Sequence, residues 1–80
     1  MFWAYNGIMH YKVSLRGDDK ADRLWLASHV DMFKDKGEFM FVATKEEPAR
    51  FTEELSRTGA SATFTPVSKS DFDTQMGFVS

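Results

Sequence analysis

The chain has 80 residues, 42% hydrophobic, 15% aromatic and 28% charged, with no cysteine and a formal net charge of −2. These figures exclude a disulfide-stapled miniprotein, a thiolate metal site and a disordered segment, and they argue against generic affinity for polyanions. What remains is one α+β domain over residues 1–80, small enough that burial alone holds it together only marginally.

Residues 2–16 carry the strongest local signal. Asn6-Gly7 separates two apolar-rich runs, and this pair suits a two-residue turn in which both central positions need positive φ. A hairpin follows, with strands over 2–5 and 8–16. Its turn register puts Phe2, Ala4, Met9, Tyr11, Val13 and Leu15 on one face, toward a core. Trp3, Tyr5, Ile8, His10, Lys12, Ser14 and Arg16 share the other.

Gly17 ends the strand, and Asp18 or Asp19 suits a helix N-cap. The end signals, with Lys34 and Lys36 near the negative pole and Gly37 beyond it, predict a helix to about Lys36. Its apolar residues form two offset stripes. Ala21, Leu24, Trp25, Ser28 and Met32 make one, and Leu26, Val30 and Phe33 the other. The second stripe suits helix–helix contact or a homodimer interface. Alternation over 24–32 also fits a strand.

Residues 38–44 (EFMFVAT) read as a central strand buried on both faces. A second helix follows, with Glu47 as its cap, Pro48 in its first turn, and Phe51 and Leu55 as its core pair. Its wet side is expected to pair Arg50 with Glu54 and Glu53 with Arg57. Gly59 ends it. Residues 61–67 form the last strand, placed at an edge by Pro66. The tail, 68–80, contains a short helix start at Ser70-Asp71-Phe72-Asp73, with Phe72 and Met76 on one side. The expected fold is therefore a two-layer α+β sandwich. Its N-terminal hairpin joins a mixed four-stranded sheet (ββαβαβ), with two helices on one face.

That arrangement leaves one sheet face open, carrying Trp3, Tyr5, His10, Lys12 and Arg16. Trp, Tyr and Arg dominate protein-interface hot spots. The same residues suit single strands, because bases stack on aromatics and cations neutralise phosphates. The run Lys36-Gly37-Glu38-Phe39-Met40-Phe41-Val42 is similar to the ribonucleoprotein octamer of RNA-recognition motifs, with its basic residue, Gly, alternating aromatics and Val. It departs from that octamer at Glu38 and Met40. The family also has a strand just before this run, which here would need the alternation in 24–32. The reading from the residues themselves puts Phe39 and Phe41 in the core.

No catalytic constellation is present in the sequence. There is no thiol, no P-loop, no dinucleotide fingerprint and no nucleophile elbow. His10 and His29 lack neighbouring metal ligands, and Asp71-Phe72-Asp73 lacks the rest of a calcium loop. No cofactor or metal is expected. Neither is a membrane span or a leader, since no apolar run approaches about 18 residues and the N-terminus lacks a basic region. The expectation is a cytoplasmic, non-catalytic inhibitor, adaptor or regulator that docks on a larger protein. Nucleic-acid binding on the same face is the alternative.

Overall fold

Alternating polar and apolar side chains make Met9–Arg16 a half-buried strand, β1, in which Tyr11, Val13 and Leu15 face one way and His10, Lys12, Ser14 and Arg16 the other. The computed structural model describes residues 7–16 and 20–77. The hairpin strand expected over 2–5, with Trp3 and Tyr5, lies outside the described residues, as do Asp18 and Asp19.

After β1 the chain runs α1 (Lys20–His29), β2 (Met32–Asp35), β3 (Met40–Thr44), α2 (Pro48–Ser56), β4 (Ser61–Pro66) and α3 (Lys69–Met76). The sheet has four strands in the order β2-β3-β1-β4. The α+β class, the four-stranded sheet and the two helices on one of its faces agree with the expectation. The sheet is not mixed, however: β1–β3, β1–β4 and β2–β3 are all antiparallel. Each helical crossover skips one strand, so the parallel pairs β1/β2 and β3/β4 are never neighbours. This connectivity is the split β-α-β arrangement.

The main correction concerns the first helix. It stops at His29, and residues expected in its last turns form β2. The Trp25 carbonyl accepts from Ser28 Oγ (2.8 Å) and lies 2.8 Å from His29 Nδ1, so side chains satisfy the helix end. The Asp31 amide then donates to the Ala43 carbonyl (2.8 Å), which commits the chain to the open edge of β3. Lys36 donates to the Phe39 carbonyl (2.9 Å) to close the hairpin, with Gly37 at φ 95°. Asp35 Oδ1 accepts from both the Gly37 amide (2.8 Å) and Arg23 Nη1 (2.8 Å), while Arg23 Nη2 donates to the Gly37 carbonyl (2.6 Å). One arginine thus ties α1 to the β2–β3 turn. The second stripe is accordingly not one helix face: Leu26 is core, and Phe33 lies on a strand.

The core lies between the sheet and the first two helices. Tyr11, Val13, Met40 and Val42 meet Leu26 of α1 and Phe51 of α2. Aromatic edges and faces order it: Trp25 is edge-on to Phe51 (6.1 Å), Phe51 stacks on Phe64 (5.8 Å), and Tyr11 is edge-on to Phe64 (5.7 Å). Every residue of β3 is buried, as its continuous apolar run implied. On α2, Glu47 is the N-cap and Pro48 opens the helix as expected. The wet-side partners differ from expectation. Arg50 reaches back to Glu46 (3.4 Å) and Arg57 to Glu54 (3.5 Å).

The tail forms a full helix on the opposite sheet face. Ser68 caps it by accepting from the Asp71 amide (3.0 Å), and Gly77 ends it at φ 85°. Phe72 is 1% exposed and packs with Phe41 and Ala43, joined by Ile8, Phe39, Val67 and Met76 at the margin. The outer face is thus partly covered, where an open face was expected.

Candidate binding face

The register fixes which side chains share the outer sheet face, since opposed residues in an antiparallel pair point the same way. Lys12 opposes Phe41 and Thr65, and Lys34 also opposes Phe41. Ser14 opposes Thr63, and Arg16 opposes Ser61. His10 and Met32 both oppose Ala43.

α3 divides this face into two zones of different chemistry. Beside α3 an apolar hollow of about 680 Å³ is lined by Ile8, Met9, Met32, Val67 and Phe72, with Asp31, Lys69 and Asp73 at its polar border. Lys69 Nζ is 2.7 Å from Asp73 Oδ2, so two of the three border charges cancel. Met9 is 51% and Met32 40% exposed, large apolar surface for side chains with neighbours so close. No described helix covers the other zone, called the bare zone below. A smaller hollow of about 420 Å³ runs between β1 and β4, lined by Lys12, Ser14, Leu15, Arg16, Ser61, Thr63 and Thr65.

Of the expected site residues, Trp3 and Tyr5 lie outside the described residues, and His10, Lys12 and Arg16 are distributed over this division. His10 lies under α3, its ring 4.6 Å from that of Phe72. Lys12 and Arg16 belong to the bare zone. The Lys12 ammonium sits over the Phe39 ring at 4.2 Å, a cation–π contact. Phe39 and Phe41 meet edge to face at 5.5 Å. Phe41 is buried, as expected, but beneath α3 on the outer face. Phe39 is only half-buried. A strand does precede the octamer-like run, but as β2 at Met32–Asp35 and not in the alternation of 24–32, which is helical to His29.

Sequence reasoning missed Lys34, Met32 and the hydroxyl row Ser61, Thr63, Thr65. The hydroxyl row was visible in the strict alternation of residues 61–66. Lys34 and Met32 were hidden by the helical reading of their segment. Among the described residues no group of three or more His, Cys, Asp or Glu side chains could hold a metal ion. No described helix is long and apolar enough to cross a membrane. Comparison with known proteins finds no family model, no curated protein and no solved structure that matches the chain.

Proposed function

We propose that this protein is a non-catalytic binding protein of the cytoplasm, an inhibitor, adaptor or regulator that docks on a larger protein. One observation carries the reading: exposed Met9 and Met32 flank an apolar hollow floored by Ile8, Val67 and Phe72. Flexible, polarisable methionines at a rim suit an apolar or aromatic side chain inserted by a partner. The aromatic segment with Trp3 and Tyr5 precedes Ile8 directly in the chain, so the expected anchors and the hollow are contiguous in sequence. A second copy of the chain is the competing occupant, and Leu24 and Phe33, 64% and 45% exposed, are further apolar surface for it.

The test compares capture by the wild-type chain, Met32→Glu, and the helix-face control Arg50→Ala, each from nuclease-treated lysate. A stoichiometric protein retained by wild type and Arg50→Ala but lost with Met32→Glu supports the reading. Identical captures with all three overturn the assignment of the hollow. A doubled mass in light scattering, abolished by Met32→Glu, makes the second copy the occupant.

A further inference from the structure

The bare zone of the outer face has a charge pattern opposite to that of the whole chain. The molecule is acidic, at −2. Yet the outward positions of the four described strands carry Lys12, Arg16 and Lys34 and no carboxylate. Ser14 lies between Lys12 and Arg16, Ser61, Thr63 and Thr65 lie beside them on β4, and the buried Phe41 lies between Lys12 and Lys34. By strand geometry Lys12 and Arg16 stand about 13 Å apart along β1, and Lys34 about 10 Å from Lys12 across the sheet. A local field of this kind selects an anionic partner even when the net charge is unfavourable.

From this pattern we infer that the bare zone binds single-stranded nucleic acid, with Lys12 acting as a displaceable cover over the Phe39 ring. The cations would hold successive phosphates, and the hydroxyls would donate to phosphate or sugar oxygens. Phe39 supplies the feature that an acidic peptide would not use, an aromatic face. In the free protein the Lys12 ammonium occupies that face, 4.2 Å from its centroid. A phosphate offers Lys12 a stronger, fully charged partner. Drawing the ammonium toward it bares the ring for a base to stack. A duplex fits poorly, because no described helix or ribbon projects from this zone into a major groove. This surface is separate from the methionine-rimmed hollow and does not depend on that hollow's role.

The experiment is fluorescence anisotropy with labelled oligo-dT and oligo-U, titrated from about 50 to 200 mM salt. Three phosphate contacts on a single strand give a log–log slope of about −2, so affinity should fall about 20-fold over that range. Lys12→Gln and Lys34→Gln should each reduce the fall to about 7-fold. Phe39→Leu keeps apolar volume but loses the stacking face. It should weaken binding about 10-fold without changing the salt slope, and Phe39→Trp should restore it. Circular dichroism and melting confirm that each variant is folded, and the exposed Lys34 variant serves if Lys12→Gln is not. Three outcomes would each overturn the inference: no binding at the lowest salt, a salt response unchanged in both lysine variants, or displacement by poly-glutamate as effective as by unlabelled oligonucleotide. The last would make an acidic protein the occupant.

Discussion

Replacing Phe72 with alanine tests whether α3 is an integral layer of the fold. The side chain is 1% exposed and packs on Phe41, Ala43 and the His10 ring. Removing a buried phenylalanine costs about 3–5 kcal/mol. An eight-residue helix does not hold its shape alone, so α3 depends on this contact with help from Met76 at the margin. Because α3 lies at one end of the described chain, its undocking caps the loss, which places the expected cost near the lower end, about 3 kcal/mol. A domain of this size has a stability of about 4–12 kcal/mol. The melting temperature should therefore fall by about 12–24 °C. Thermal unfolding by circular dichroism reads that shift. Amide exchange should separate the layers: α3 amides lose protection, while those of β3, at the sheet centre, keep most of theirs. A melting temperature within about 2 °C of wild type would refute the reasoning, because it would mean that Phe72 does not hold α3 to the sheet.

The β2–β3 hairpin offers two tests. Asp35→Ala removes the acceptor shared by Arg23 and the Gly37 amide, and with the pair partly exposed the loss should be about 1 kcal/mol in urea melts. Gly37→Ala meets open space, so its cost, about 1–2 kcal/mol, should come wholly from the backbone at φ 95°; a stability equal to wild type would contradict that conformation. At the start of α3, Ser68→Ala should cost about 1 kcal/mol, whereas Ser68→Asp should be close to neutral because its carboxylate can also accept from the Asp71 amide.

Much of the fold was legible in the sequence because the signals were local. The alternation in residues 8–16 set the two faces of β1, and the apolar run at 38–44 set β3 inside the sheet, though its strand begins only at Met40. Pro48 and Gly59 bracketed α2 and the turn after it, and Pro66 marked an edge strand. Lys12 and Arg16 could be assigned to one outward face for the same reason: a strand's period of two does not depend on its neighbours.

What the sequence alone left undecided were the points where two local structures fit the same residues. An alternation over 24–32 fits a strand inside the expected helix, yet the helix continues to His29 and the strand, β2, starts only at Met32. The choice fell to β3, whose free edge takes the Asp31 amide, and to Arg23, which clamps the hairpin turn from α1. Neither partner is near in sequence. The same event turned an expected mixed sheet into an antiparallel one and brought Lys34 onto the outer face. The placement of α3 was likewise tertiary. Phe72 and Met76 announced an apolar side, but only the uncovered Phe41 and Ala43 offered a surface to receive it. Local periodicity thus determined which residues form strands and helices and which way they point. Long-range burial and pairing decided which sheet edge was filled, which face was covered, and therefore which residues remain free to bind.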